Sequence, residues 1–177
     1  MTAPIHSDRL DLIPMTPSFL RASLAGRRRE AEQELALSLP PDWPGESADV
    51  LALRLQQLEV DPAEQPWLLR AMTLRGTGVM VGHIGFHAAP GADGGGELGF
   101  LVFDTFRRRG YAREAALALM HWARDSQGVR RFVLSIRPDN AASQALAAQL
   151  GFVRTGSQFD EVDGLEDILE FKVADHG

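Results

Sequence analysis

The sequence predicts an α/β fold, and three observations support this prediction. Short segments with the apolar patterns of β-strands alternate with longer segments that carry an apolar stripe at helical spacing. Glycine-containing turns join two pairs of neighbouring predicted strands, which is typical of antiparallel hairpins. The segment ELGFLVF, at residues 97–103, is apolar on both faces, as expected of a strand in the middle of a covered sheet.

The N-terminal part of the chain predicts one strand followed by two helices. Residues 9–15 alternate leucines with polar side chains and predict the first strand. Residues 18–37 predict a single helix with a weak point at Gly26, because glycine costs about 1 kcal/mol relative to alanine in a helix. A proline-rich loop follows, and Ser47 is placed to cap a further helix with three leucines on one face.

The middle of the chain predicts a hairpin, a buried strand and a long helix. Residues 67–75 and 79–87 are two β-rich runs, and Gly76-Thr77-Gly78 between them is a turn signature. A second glycine-rich turn leads into the buried strand that is described above. Residues 108–126 then carry an apolar helical face that ends at Gly128.

The C-terminal part predicts a strand, a helix and a hairpin. Residues 132–136 form a buried strand, and the helix that follows stops at Gly151. Residues 152–159 and 165–173 alternate as strands do, and Asp163-Gly164 between them is a hairpin dipeptide. No repeat or linker divides the chain, so we expect a single domain over residues 1–177.

Composition excludes several classes of function. With 45% hydrophobic residues the chain can build a core, and a net charge of −6 without a broad basic stripe argues against nucleic-acid binding. The absence of cysteine excludes a disulfide framework and a thiolate nucleophile, and it suits a reducing compartment. The N-terminus lacks the apolar region of a signal peptide, and no window approaches about 18 apolar residues. We therefore expect a cytoplasmic protein with no membrane span.

Positive charge is concentrated in the segment FRRRGYAREA, residues 106–115, which contains four arginines and one glycine. The segment lies between a predicted strand and the start of a predicted helix. The first N–H groups of a helix lack partners, and its dipole presents about half a positive charge, so phosphate binds there favourably. Gly110 and Ala112 keep bulky side chains away from this turn. The segment therefore predicts a pyrophosphate cradle, although it matches neither the Walker nor the dinucleotide-binding glycine pattern.

Two motifs resemble those of a known superfamily. Arg107-x-x-Gly110-x-Ala112 resembles the Q/R-x-x-G-x-G/A motif with which GNAT N-acetyltransferases bind the pyrophosphate of acetyl-CoA. Asn140 and Ser143, followed by Leu150-Gly151-Phe152, resemble a downstream segment of the same superfamily. The segments DRLDL and ELGFLV are similar to the RimJ/RimL-like branch, which acetylates protein N-terminal amines. The resemblance implies a GNAT fold, with a mixed, mostly antiparallel sheet of six to seven strands and helices on both faces.

The resemblance also implies a set of cofactor-binding residues. They are Leu101, Val102, Phe103, Arg107, Arg108, Arg109, Gly110, Tyr111, Ala112, Arg113, Asn140 and Ser143. Backbone groups of Leu101 and Phe103 would pair with the pantetheine arm like an added strand, and the amides of residues 108–113 would hold the pyrophosphate. Asn140 would bind the pantetheine or a loop carbonyl. The alternative for Asn140 is a helix cap without ligand contact, and both roles are compatible.

Glu97 and Ser143 are the candidate catalytic residues. Acetyl transfer needs a neutral amine and a proton for the departing thiolate. Glu97 begins the strand that would deliver the thioester, so it is the candidate base, directly or through one water; the alternative is a solvated strand end. The superfamily often uses a tyrosine as the acid, but the matching position here is Ala147. Ser143 or water would then serve, or the thiolate would leave unassisted.

The preferred acceptor is a protein or peptide N-terminal amine. An α-amine with a pKa near 8 is made neutral at pH 7 at a cost of about 1 kcal/mol, against about 4.6 for a lysine. A small-molecule amine, a non-catalytic acyl-CoA sensor and an unrelated nucleotide-binding module are the alternatives. We expect a monomer or homodimer without a metal site, in which His83 and His87 are core or edge residues. Trp43 and Trp67 either cover the core or line the acceptor pocket.

Overall fold

The computed structural model describes residues 1–174 and contains, within them, one eight-stranded mixed sheet. The strands are β1 (Ile5–His6), β2 (Leu10–Pro14), β3 (Arg70–Leu74), β4 (Met80–Phe86), β5 (Gly95–Val102), β6 (Arg131–Ile136), β7 (Val153–Asp160) and β8 (Gly164–Lys172). Their spatial order is β1-β2-β3-β4-β5-β6-β8-β7. Every neighbouring pair is antiparallel except β5 and β6, which are parallel. The predicted α/β class and mixed, mostly antiparallel sheet are confirmed.

The sheet has one strand more than the upper limit of the prediction. The additional strand is β1, which has two residues and pairs Ile5 with Leu12 of β2. Two residues are too short to show a period-2 pattern, so only pairing in the folded chain identifies them as a strand.

Five helices accompany the sheet within the described residues. They are α1 (Pro17–Leu24), α2 (Arg28–Leu35), α3 (Ala48–Val60), α4 (Tyr111–Gln127) and α5 (Ala141–Gln149). The prediction of one helix over residues 18–37 is wrong, because Gly26 adopts a left-handed conformation with φ of +69° and separates α1 from α2. Glycine enters this region without the steric penalty of a Cβ, so the chain turns there and the two helices pack together.

Helices cover both faces of the sheet. Adjacent residues of a strand point to opposite faces, and Ala71 and Met72 of β3 belong to different core clusters. The cluster of Met72 includes Leu119 of α4 and Ala147 of α5. The cluster of Ala71 contains residues from α1, α2 and α3, among them Leu51. The prediction of helices on both faces is therefore confirmed.

The strands β5 and β6 separate after a short parallel ladder. Their register is limited to Gly95 with Arg131, Gly96 with Phe132 and Glu97 with Val133. Both strands continue beyond these pairs, β5 to Val102 and β6 to Ile136. A V-shaped opening therefore forms in the centre of the sheet, and the turn before α4 lies directly after its β5 arm.

None of the helices in residues 1–174 has the length and apolar character needed to cross a membrane.

Candidate functional site

A cavity of about 690 Å³ lies at the opening between β5 and β6. It brings together ten of the residues that were predicted to bind the cofactor. They are Leu101, Val102, Arg107, Arg108, Gly110, Tyr111, Ala112, Arg113, Asn140 and Ser143. Phe103, Arg109 and Glu97 do not line this cavity. The strand, turn and helix start that were predicted from the sequence thus form one wall, and α5 forms another.

The turn before α4 presents a run of unpaired backbone donors to this cavity. Within residues 1–174, the N–H groups of residues 108–113 donate to no other atom of the chain. The first residue of α4 is Tyr111, and no side chain caps the helix. Arg108 and Gly110 have φ of +59° and +80°, and these left-handed residues curve the turn. Consecutive N–H groups in such a turn, followed by a helix N-terminus, form a concave site for an anion.

A carboxylate on α4 fixes this turn to the N-terminal strand. Glu114 accepts hydrogen bonds from Arg9 N, Arg9 Nε and Ser7 Oγ, each at 2.7 Å. Arg9 also donates from Nη1 to the carbonyl of Arg109 at 3.0 Å and lies 4.7 Å above the Tyr111 ring. Burial opposes the ionisation of Glu114, but the hydrogen bonds from Ser7 and Arg9 outweigh it and hold the pKa of the carboxyl below its ordinary value.

This contact between Arg9 and Glu114, the brace, joins two distant segments, and neither segment reveals it alone. Its only signal was the DRLDL segment, which contains Arg9 and was noted for its resemblance alone. The structure also changes the explanation for Gly110, because a Cβ there would lie 3.3 Å from Arg9 Nη2. The glycine provides the left-handed turn and leaves room for the brace, in addition to keeping the turn open toward the cavity.

The four arginines of the turn are in different states. Arg107 donates from Nε to the Val102 carbonyl at 3.0 Å and pairs with Asp104. Arg109 donates to the Thr105 carbonyl and packs over Phe106. These two side chains hold the loop together, whereas those of Arg108 and Arg113 are exposed on the cavity wall.

The free backbone groups of β5 are displaced by one residue from the expected positions. Phe103 N donates to Val81 O at 2.9 Å, and Glu97 O accepts from His87 N at 2.8 Å. Antiparallel pairing alternates, so residues 97, 99, 101 and 103 direct their backbone groups toward β4. Phe100 and Val102 therefore face the opening, and the expectation of free groups on Leu101 and Phe103 is not met. Val102 O accepts from Arg107, which leaves Val102 N–H and both groups of Phe100.

Asn140 and Ser143 meet at the start of α5. Asn140 caps the helix by accepting the backbone N–H of Ser143 on Oδ1 at 3.2 Å. Both residues also line the large cavity, so the capping role leaves the Asn140 amide nitrogen and the Ser143 hydroxyl available there. Ala147 is fully buried in the core and lines none of the three main cavities. It provides no polar group to a thiolate.

A second cavity of about 260 Å³ adjoins the first at Phe100 and Leu101, which line both. Its other walls include Arg54 of α3, His83 of β4 and His87. His83 is buried and its Nε2 lies 2.9 Å from Ser47 Oγ. Burial, together with the charge of Arg54, lowers the pKa of His83 to about 4, so this ring is neutral near pH 7.

Arg54 is a buried cation of this second cavity. It donates from Nη1 to the His87 carbonyl at 3.0 Å and to Gln57 Oε1 at 2.6 Å. Its Nε has no partner among the described residues. Desolvation lowers the pKa of Arg54, against the attraction of Glu64 and Glu97. No pattern in the sequence singles out Arg54, and His87 was expected to be a core or edge residue.

Glu97 lies beside the second cavity but lines neither cavity. Its Oε1 is 3.6 Å from His87 Nδ1. Interaction with the His87 ring is the main cause that lowers the pKa of Glu97; burial opposes it, and Ser135 and Arg54 assist. Glu97 is therefore held as a carboxylate with reduced basicity.

Trp43 and Trp67, which were expected either to cover the core or to line the acceptor pocket, have different environments. Trp67 packs edge-on against Phe86 and Trp122 in the core and lines none of the three main cavities. Trp43 packs against Phe103 and also lines a third cavity of about 190 Å³. The described residues contain no group of three or more potential metal ligands.

Comparisons with known proteins agree with this architecture. Residues 9–153 match the family model of the acetyltransferase (GNAT) domain. The uncharacterized N-acetyltransferase YjdG of Bacillus subtilis (strain 168) is 38% identical over 74 residues. This match covers 42% of this chain and 44% of YjdG, so less than half of either protein is aligned.

Two solved structures are similar over nearly the whole chain. RimL, a ribosomal L7/L12 alpha-N-protein acetyltransferase, superposes with a TM-score of 0.68 at 21% identity, covering 98% of this chain and 96% of RimL. The microcin C7 self-immunity acetyltransferase MccE, in complex with acetyl-CoA and AMP, gives 0.67 at 18% identity, covering 94% and 93%. These likenesses show the fold. Because the family match covers most of the chain, this protein belongs to the GNAT acetyltransferase family.

Proposed function

We propose that the protein transfers acetyl from acetyl-CoA to the α-amine of a protein or peptide N-terminus. The observation that carries the proposal is the cradle of six unpaired N–H groups, residues 108–113, in one cavity with the open arm of β5. A helix N-terminus that follows such a run of donors suits a pyrophosphate. An open strand edge suits an amide-containing arm. Acetyl-CoA carries both groups in sequence.

Acetyl-CoA would be held by backbone atoms more than by side-chain charge. The amides of residues 108–113 would receive the pyrophosphate, with the exposed side chains of Arg108 and Arg113 at its rim. Val102 N–H and the backbone groups of Phe100 would pair with the pantetheine arm. Asn140 would donate its amide to the same arm while its oxygen caps α5.

The acceptor would enter from the second cavity. The two cavities share Phe100 and Leu101, so a thioester in the first and an amine in the second would meet there. The amine would attack directly in a ternary complex, because a chain without cysteine cannot form an acetyl-cysteine. Ser143, whose backbone N–H is held by Asn140, would protonate the leaving thiolate. Glu97 would provide a negative charge beside the acceptor cavity.

An N-terminal amine is the preferred acceptor on chemical grounds. At pH 7 an α-amine is neutralised at a cost of about 1 kcal/mol, which places a modest demand on the base. The RimL likeness supports this preference and the RimJ/RimL-like branch, since RimL is described as an alpha-N-protein acetyltransferase. A small-molecule amine is the second candidate, because the acceptor cavity of about 260 Å³ encloses little more than one residue.

A turnover assay with detection of free thiol tests the proposal. Acetyl-CoA is supplied with peptides that differ in their first residue, with Nα-blocked peptides that contain lysine, and with small amines. We expect thiol release that depends on a free N-terminus. Binding of CoA without release for any amine would instead identify a sensor, for which Ala147 is the favourable feature. Release with small amines alone would select the second candidate.

A further inference from the structure

His87 lies directly after β4, and its backbone is fixed from two sides. Its N–H donates to the Glu97 carbonyl at 2.8 Å. Its own carbonyl accepts from Arg54 Nη1 at 3.0 Å and from Gln57 Nε2 at 2.8 Å. The imidazole therefore leaves a well-defined point of the sheet, although its side chain is 45% exposed.

The two nitrogens of the His87 ring face different neighbours. Nδ1 is 3.6 Å from Glu97 Oε1, which is within ion-pair distance and longer than a hydrogen bond. Nε2 lies over Gly99, where a Cβ would stand only 2.9 Å away. Gly99 thus leaves the space that the ring occupies on β5. Both His87 and Gly99 line the second cavity, next to Leu101.

We propose that His87 is the base that removes the proton from the acceptor amine, and that Glu97 is a positioning residue that orients the His87 ring. This inference rests on the proposed function. As the amine nitrogen bonds to the acetyl carbon, the bond from that carbon to sulfur breaks and the thiolate departs. The proton lost by the amine goes to His87 Nε2. Nδ1–H donates to Glu97, which stabilises the imidazolium without taking the proton.

Two observations and the general chemistry of imidazole favour His87 over Glu97 as the base. His87 lines the acceptor cavity, whereas Glu97 does not. The carboxylate has a lowered pKa and is correspondingly less basic. Imidazole is the side chain best suited to accept a proton near neutral pH.

The charged surroundings of the His87 ring come from several elements. Glu97 faces it from β5, and Arg54 of α3 donates to the backbone carbonyl of the same residue. Glu46 and His83 line the same cavity. Glu64, whose carboxylate accepts the N–H of Ala89, is the other nearby acid on the Arg54 side. Replacing Glu97 by Gln therefore removes the carboxylate that lies nearest to the ring, at 3.6 Å from Nδ1.

The test compares His87→Ala, Glu97→Gln and Gly99→Ala in the turnover assay, with His121→Ala as the control. His121 is an exposed histidine on α4 and lines none of the three main cavities. At pH 7 we expect His87→Ala to lower kcat by about 10² or more, the usual effect of a lost general base. The KM for acetyl-CoA and the CoA-induced rise in Tm should not change. Imidazole in the buffer should restore part of the rate.

The pH dependence separates a base from a structural residue. The defect of His87→Ala should shrink above about pH 8, where a free α-amine is neutral without help. Glu97→Gln should lower kcat less than His87→Ala does, and it should alter the pH profile of kcat/KM, because a carboxylate 3.6 Å from the ring is lost. Gly99→Ala should lower kcat by about tenfold, because its Cβ displaces the ring by a fraction of an ångström.

The outcomes distinguish this inference from the proposed function. A wild-type protein that releases no thiol with any amine overturns both. A wild-type protein that is active while His87→Ala keeps its rate at every pH overturns the inference alone, as does a larger defect in Glu97→Gln than in His87→Ala. If His87→Ala does not fold, His87→Gln and Gly99→Ala provide the same comparison.

Discussion

Replacing Gly110 by alanine tests the anion cradle with a matched control on the same helix. Gly110 and Gly128 flank α4 and are both left-handed, with φ of +80° and +73°. Alanine in this conformation costs about 1–2 kcal/mol, so both variants should lose similar stability. The surroundings differ, because a Cβ at Gly110 approaches Arg9 Nη2 at 3.3 Å, whereas a Cβ at Gly128 meets nothing within 4 Å.

The difference should appear in the stabilisation by CoA. Ligand at about a hundred times Kd raises the free energy of unfolding by about 2.7 kcal/mol, equivalent to about 5–11 °C in Tm for a chain of this size. Gly128→Ala should keep this shift. Gly110→Ala should weaken binding by about tenfold or more, which lowers the stabilisation by about 1.4 kcal/mol at the same CoA concentration.

Thermal melts with and without CoA measure both quantities in one experiment, and dephosphorylated pantetheine serves as the control ligand. Equal CoA shifts in the two variants would refute the assignment of residues 108–113 as the pyrophosphate site. A loss of the shift in Gly128→Ala would show that helix stability, not the cradle, controls binding.

Three further predictions concern the brace, the buried histidine and the exposed arginine. Glu114→Gln should lower the free energy of unfolding by about 1–2 kcal/mol at pH 7. Since the folded pKa of Glu114 is lowered, the wild-type advantage in urea unfolding should disappear as the pH falls below about 4.5. Between pH 6.5 and 4 the His83 ring is neutral in the folded protein and takes up a proton when the chain unfolds. The free energy of unfolding of the wild type should therefore fall by up to about 3 kcal/mol across this range, and His83→Gln should remove this pH dependence. Arg108→Ala should weaken CoA binding by less than about fivefold in calorimetry, because an exposed charge contributes little; a loss as large as that of Gly110→Ala would mean that side-chain charge dominates.

Local patterns were sufficient to predict most of the fold. The strand that contains Glu97 and the helix that ends at Gly128 have apolar patterns and stop signals within one contiguous segment. The two failures have local physical causes. A two-residue strand has no period, and Gly26 was read as a weak point in a helix when its left-handed conformation separates two helices.

The cradle could be predicted because its chemistry is contiguous. The glycine, the arginines and the helix start lie within residues 107–113, and the free N–H groups follow from the position of the helix. The register of β5 could not be predicted, since it depends on how the loop after β4 aligns Phe103 with Val81. That alignment decides whether the backbone groups of even- or odd-numbered residues face the opening. The free groups are therefore on Phe100 and not on Leu101, where they were predicted.

Contacts between residues that are far apart in the chain could not be predicted from the sequence. Arg9 and Glu114 are 105 positions apart, and Arg54 reaches His87 across 33. His87 and Glu97 become neighbours only through the β4–β5 register. Each of these side chains has an ordinary interpretation in its own segment, as a solvated charge or an edge histidine, so only the tertiary structure brings them to the site.

The site of acetylation on one peptide tests the central claim most directly. The peptide carries a free N-terminus and one internal lysine, and the wild-type protein is incubated with it and acetyl-CoA at pH 7. We predict one acetyl group per peptide, located on the α-amine by fragmentation mass spectrometry, with one free thiol released for each product formed. An acetyl group on the lysine alone, or no product while CoA still raises Tm, would contradict N-terminal acetyl transfer.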